Sequence, residues 1–560
     1  MRSAITLLLS AGKIVLPEAL VVLKEVDKPV ELAKSFLEQF PEKHEVTQNA
    51  FHIIDGSISK KKTKKTVPTK IKFEQKRETQ GVSRKEALGS VPHRTKKSLN
   101  ITSSPQTNQG KLKELTKQHK QILKTKSLDV DQTTHRISTS LDDLQGLHNY
   151  ESDLVVLDNY IPIVNFGTTV GDLINYFQDR YTRLSRMFRH RMDIINITKI
   201  KDLSRTESQI SVIGMLTEKI FYPGKSGRII IEDPTKDKEL HVIIPRNNPS
   251  LQEEVLQIMN DSVICVTGFL KQETLIATEV LLPEIPLSRN RNHANIPVHV
   301  AYLSDIHVGS HNFLSKPFER FIDFLNGKYG GKKLQALGKQ TKYVMFGGDV
   351  VDGVGIYPGQ IDDLKIHSIR DQYSEFSRFL EGIPEDVQIV IIPGNHDMVR
   401  SAEPQPSIDY QYTPELANFE NIQMLSNPSQ ISIHGVQSLL YHCTSLPDII
   451  NNVPGLSINR PVDVMKQMLR ARHLAPMWGA KTPIVAETKD YLVIERIPDV
   501  FHGGHIHING EGQYRGVQIV NSGTMQSQTS FQKSLNIDPT PGQVALLNLK
   551  SMKWNRLMLK

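Results

Sequence analysis

Cysteine is nearly absent: Cys265 and Cys443 are the only two in 560 residues. Two lone thiols make no disulfide framework, which excludes a small stapled scaffold and fits a reducing, cytoplasmic location. Cys265 lies in the β-branched run Val263-Ile264-Cys265-Val266 and reads as a small core residue. No apolar run approaches the roughly 18–20 residues that a membrane span needs, so no membrane partner is expected. The start, Met1 to Leu9, looks like a signal peptide, but Gly12 and Lys13 break it and no small-residue cleavage site follows. Acidic residues are scarce in one segment. Between Lys60 and Lys126, 20 Lys and Arg stand against 4 Asp and Glu, an excess of 16 positive charges in a chain of net +8, so the remainder carries −8. The basicity is therefore local, and the segment is either a loose holder of a polyanion or a solvated linker.

A chain of 560 residues exceeds what one core can serve, which predicts a multidomain protein. Residues 1–55 read as a small helical unit: Pro29 opens a helix through Leu32, Phe36, Leu37 and Phe40, and Pro17 opens the one before it. Residues 56–150 are rich in Lys, Ser, Thr and Gln and poor in aromatics, a composition that cannot bury enough apolar surface to offset its ordering entropy. A disordered basic linker is expected there, with transient helix around Lys111–Lys126. From 165 to 290 the pattern predicts a helix, Val170–Met192, and five strands. The helix carries Arg180, Arg183, Arg186, Arg189 and Arg191, which face nucleic acid or solvent on this reading. A helix at Leu251–Met259 between the third and fourth strands gives the order of an OB-fold β-barrel, a module that binds single strands or docks proteins. Few strand aromatics could stack on bases, which favours docking.

The remainder, 295–560, alternates strands with helices as an α/β layered domain does. Strands are predicted at Pro297–Leu303, Tyr343–Phe346, Gln388–Ile392, Ser438–Tyr441 and Tyr491–Ile494, with helices at Phe318–Leu325 and Gln372–Leu380. Polar clusters follow these apolar runs: Ser304-Asp305-Ile306-His307, Gly347-Gly348-Asp349-Val350-Val351-Asp352, Gly394-Asn395-His396-Asp397, Tyr441-His442-Cys443 and Gly503-Gly504-His505-Ile506-His507. Asp305 and His307 are two apart at a strand end, so both side chains can point one way. Carboxylate with imidazole suits Mn²⁺ or Zn²⁺ better than Mg²⁺, and Asp349 after two glycines can approach closely enough to bridge two cations. Asn395 adds a neutral oxygen, and His442, His505 and His507 add nitrogen. Two such cations can clamp the attacking and leaving oxygens of an in-line displacement at phosphorus.

Asp-x-His, Gly-Asp-x-x-Asp, Gly-Asn-His-Asp, His and Gly-His-x-His in this order resemble the calcineurin-like metallophosphoesterase superfamily. The resemblance implies an α/β-sandwich phosphoesterase domain with one metal on Asp305, His307, Asp349 and His507. The second would lie on Asp349, Asn395, His442 and His505, with Asp349 bridging. It makes His396 and Asp397 catalytic: His396 stabilises the transition state or protonates the leaving oxygen, and Asp397 orients it, while Asp352 is an outer acid. Two divalent ions are implied, Mn²⁺ foremost, with Mg²⁺, Zn²⁺ or Fe as alternatives. The OB-like barrel directly ahead of this domain, Ser304-Asp305-Ile306-His307-Val308-Gly309-Ser310 and Asn521-Ser522-Gly523-Thr524-Met525-Gln526 are similar to the small subunits of archaeal family-D DNA polymerases. That family implies a 3′→5′ proofreading exonuclease acting on primer-template or single-stranded DNA. Its partner would be a large catalytic polymerase subunit, with a sliding clamp or primase as further partners. Two alternatives stay open. One is a non-catalytic scaffold, like the corresponding eukaryotic polymerase subunits that have lost ligands; the other is a stand-alone recombination nuclease.

Overall fold

The computed structural model describes residues 150–162, 169–189, 191–204, 208–235, 239–534 and 536–559, with 135–137 and short pieces at 14–15, 34 and 45–46. The chain divides into two units, Met1–His119 and Lys120–Lys560. In the first, Ile14–Val15 pairs in parallel with Glu45–Val46. The helices expected in 1–55 otherwise lie outside the described residues, as does most of the basic linker expected in 56–150; at 135–137 that expectation is corrected, because Arg136 pairs its backbone with Arg556. Every element labelled from here belongs to the second unit.

Strand β1 (Leu154–Asn159) and helix α1 (Val170–Arg189) come first. Strands β2 (Ile210–Ile220), β3 (Gly227–Glu232), β4 (Leu240–Ile244), β5 (Val263–Lys271) and β6 (Thr274–Leu281) then close a barrel in the order β2-β3-β4-β6-β5. Closure leaves no free edge. Inside it β-branched residues pack tightly: Val212, Ile229, Ile231, Val242, Ile264 and Val266 are all buried. Helix α2 (Pro249–Leu256) joins β4 to β5; Asn248 caps it by accepting from the Leu251 N–H, and Pro249 takes its first turn. These two signals start it earlier than apolar spacing alone suggests.

The rest is a sandwich of two six-stranded sheets. One runs β10-β9-β8-β7-β16-β17, comprising β7 (His299–Leu303), β8 (Thr341–Phe346), β9 (Gln388–Ile391), β10 (Ile422–Met424), β16 (Gln543–Asn548) and β17 (Lys553–Met558). The other runs β14-β15-β13-β12-β11-β1, comprising β1 with β11 (Ser429–Ile433), β12 (Val436–Leu440), β13 (Val500–Gly503), β14 (Gly510–Tyr514) and β15 (Val517–Asn521). Strand alternation assigns the layers. Val300 and Tyr302 of β7 meet Ile431, Leu440 and Val500 between the sheets. Ala301 and Leu303 face outward to helices α3 (Ser315–Leu325), α4 (Lys332–Gln340) and α5 (Ile369–Leu380). The second sheet's outer face meets helices α6 (Leu446–Asn452) and α7 (Pro461–Ala471), and that apolar cluster continues without a break into the barrel.

Two expectations are corrected. Tyr491–Ile494 is turn and bridge, not strand: Asp490 accepts from the Leu492 N–H, and the segment's backbone pairs with Arg472 and Leu474. The strand ahead of the Gly-His-x-His cluster is β13. Arg180 faces neither solvent nor a partner: it is fully buried, its Nε 2.6 Å from Asp490 Oδ2 and its Nη1 donating to the Pro476 carbonyl at 2.6 Å. Arg183 is also engaged, by Asp179 and Glu495, and the helix ends at Arg189; of its arginines only Arg186 and Arg189 stand exposed.

Candidate metal centre

The five polar clusters all begin where a strand ends. Strands β7, β8 and β9 are parallel neighbours, as are β12 and β13. Their C-terminal ends therefore carry the clusters to one edge of each sheet, where such folds place their sites. Ile306 and Val308 point into the helix-side core, which turns Asp305 and His307 the other way. The backbone there is strained: Asp305, His307, Asp349, His505 and His507 have φ of 56°, 56°, 52°, 74° and 60°. Left-handed conformations of non-glycine residues gather at functional sites, where the surroundings hold them. Gly348, at φ 104°, is required by space as well, because a Cβ there would stand 2.5 Å from His442 Nδ1.

One group comprises Asp305, His307 and His507, whose donor atoms lie within 4.8 Å of one another. His307 Nδ1–H donates to Asp352 Oδ1 at 2.9 Å, which leaves the Nε2 lone pair facing inward. That nitrogen lies 3.0 Å from His507 Nε2, which in turn is 3.3 Å from Asp305 Oδ1. Asp305 Oδ1 is buried and has no hydrogen-bond partner. The His307 Nε2 lone pair and the unpartnered Asp305 carboxylate oxygen, brought together beside the His507 ring, fit a cation among them.

The second group is Asp349, His442 and His505. His442 Nδ1–H donates to the Gly347 carbonyl at 2.8 Å, so its Nε2 again carries the lone pair. Around that atom stand Asn395 Oδ1 at 3.2 Å and Asp349 Oδ2 at 3.3 Å, both acceptors. Burial alone would lower the His442 pKa, but the charge and hydrogen bond of Asp349 reverse this and push it up to about 10. Asp305 shows the counterpart: burial raises it, and the charges of His507 and His442 bring it down to about 2. The pocket draws positive charge, as protons or as cations. A set of carboxylates, imidazoles and one amide oxygen suits a borderline divalent ion.

His396 stands beside these groups, its ring centroid 4.8 Å from that of His307. Its Nδ1–H donates to the Asp352 carbonyl at 2.7 Å, turning Nε2 to a cleft of about 680 Å³ that His307, Asp349, Asn395, His505 and His507 also line. Burial lowers the His396 pKa against the pull of Asp349. Asp397 does not touch this ring. It accepts from the Asp349 and Gly394 N–H groups, each at 2.8 Å, and from the Tyr373 hydroxyl at 3.2 Å, so it fixes the loops bearing Asp349 and Asn395. Burial and the Asp349 charge push its pKa up to about 7. Three glutamines unforeseen from sequence complete the surround. Gln526 and Gln360 donate to Asp352, and Gln532 lies 2.7 Å from His507 Nδ1.

Residues 300–507 match the family of the B subunits of DNA polymerases alpha and epsilon. The chain is 41% identical over 384 residues to the DNA polymerase II small subunit of Methanothermobacter thermautotrophicus, covering 69% of this chain and 79% of that one. It is 41% identical over 377 residues to the protein of the same description from Archaeoglobus fulgidus, covering 67% of this chain and 75% of that one. Among solved structures it is similar to an archaeal phosphodiesterase at 13% identity and a TM-score of 0.24, over 47% of this chain and 100% of that one. The two sequence relatives, at this identity and coverage, decide membership: the chain belongs to the family of archaeal DNA polymerase II small subunits, the family-D polymerases.

Proposed function

We propose that the chain is a metal-dependent phosphodiesterase that trims 3′ ends of DNA, the proofreading subunit of a two-subunit archaeal polymerase. The observation that carries this reading is the convergence of metal-ligating groups from Asp305, His307, Asp349, Asn395, His442, His505 and His507 beside one cleft. Asp305, His307, Asp349 and His507 would hold one divalent ion and Asp349, Asn395, His442 and His505 the other, Mn²⁺ being the expected metal. When bound, such ions supply Lewis-acid stabilisation of phosphoryl charge and a water of lowered pKa. His396 presents Nε2 to the same cleft. An anionic diester entering there raises its pKa by charge and puts on it the proton that the leaving oxygen needs. The Asp352 carbonyl keeps that ring aimed.

The relatives named as polymerase small subunits support DNA as the substrate and a large catalytic subunit as the partner. The barrel, read as an OB-fold from its strand order and intervening helix, is the docking module toward that partner. The test gives the full chain and its large subunit Mn²⁺ and a 5′-labelled primer-template with a 3′ mismatch. Progressive shortening is expected, reduced about 10²–10⁴-fold in His396→Ala with folding retained by circular dichroism. An untouched primer in the assembled complex would favour the scaffold.

A further inference from the structure

We infer that the cleft holds the terminal base of a single strand stacked on Phe531, with Lys481 placed for a backbone phosphate; this rests on the nuclease reading above. Phe531 belongs to the short helix α8 (Ser530–Ser534), lines the cleft and is 68% exposed. A bare phenyl ring beside a charged centre gains nothing from water and offers a flat apolar face to a ligand. Its neighbour Gln532 bonds the ring of His507, so the aromatic is held in register with the candidate metal ligands. The imidazoles of His396, His307 and His507 form a row with successive centroids 4.8 Å apart. Tyr357, 38% exposed, lies at its other end, 6.5 Å from the His396 ring, with its hydroxyl held by Asp363.

Lys481 lines the same cleft and is exposed, and among the described residues no ion pair holds its ammonium. Asp448 accepts the backbone N–H groups of Lys481 and Thr482 at 3.1 and 2.8 Å, which fixes the loop that carries it. An aromatic face and a cation flanking a phosphate-directed centre are the elements that bind single strands without regard to sequence. A paired base cannot reach such a ring, so the cleft selects ends that have left the duplex.

The test measures binding apart from cleavage. Fluorescence anisotropy follows a labelled oligonucleotide binding to the full chain in Ca²⁺, with an ordinary end, a 3′-terminal abasic residue or a 5′-terminal one. Wild type is expected to bind the ordinary strand about tenfold more tightly than the 3′-abasic strand, the size of one stacked base. Phe531→Ala should bind both alike and weakly, Phe531→Tyr should restore the difference, and Mn²⁺ affinity should be the same in all three. Equal losses on both strands, no loss at all, or a difference only with the 5′-abasic strand would overturn the inference. Base-dependent binding without cleavage of any strand in Mn²⁺ would leave the stacking intact and sink the nuclease reading instead.

Discussion

Three of the candidate ligands are each held by a second group. Asp352 sets the His307 ring, the Gly347 carbonyl that of His442, and Gln532 that of His507. The two acceptors, Asp352 and the Gly347 carbonyl, fix the proton on Nδ1 and leave Nε2 of His307 and His442 for a metal. The Gln532 amide instead donates to His507 Nδ1 and holds that ring in place. Asp352→Ala should therefore lower Mn²⁺ affinity by about 10- to 100-fold, by isothermal titration calorimetry, without unfolding the chain; unchanged affinity would mean that packing alone orients His307. Residue type and order along the chain marked the seven candidate residues that the structure brings beside one cleft, because the clusters follow apolar runs that become strands. Gln532, Gln526 and Gln360 were not legible. A glutamine carries no chemical signature of its own, and Gln526 reaches Asp352 from 174 residues away.

Among the elements, α1 separates pattern from environment. Its arginines recur at spacings that suggest one basic face, yet Arg180 is sealed against Asp490, with its guanidinium 5.3 Å from the Tyr176 ring centroid and 5.1 Å from that of Phe177. His473 completes the contact: its Nδ1 accepts from the Ala475 N–H and its Nε2–H donates to Asp490 at 2.8 Å. The helix is thereby tied to the sandwich by a buried charge network that no local sequence feature announces. Arg180→Ala leaves Asp490 without its guanidinium partner and should cost about 3–5 kcal/mol. Arg186→Ala, exposed on the same helix, should stay within about 0.5 kcal/mol. Urea denaturation of both variants checks this, and equal small effects would contradict it. The same limit explains Tyr491–Ile494, whose apolar run reads as a strand although Asp490 and Arg472 claim its backbone.

At the scale of the molecule, sheet topology brings together residues far apart in the chain. Asp305 and His507 meet because the parallel strands of both sheets end on one side of the sandwich. The layered α/β architecture and the closed barrel follow from alternation and strand spacing, and both were legible. The joining of barrel and sandwich through one apolar cluster was not, since Val464 and Met465 look the same in any helix that packs on something. Strand β1 escaped as well: it precedes the barrel in sequence but completes the edge of a sheet formed after it. The phosphodiesterase reading depends on the converging groups being a two-cation site. The most direct test is the Mn²⁺ stoichiometry of the full chain by equilibrium dialysis. Two ions per wild-type chain are predicted, with loss of tight binding at both positions in Asp349→Ala. No tight uptake by wild type, or uptake indifferent to Asp349, would contradict it.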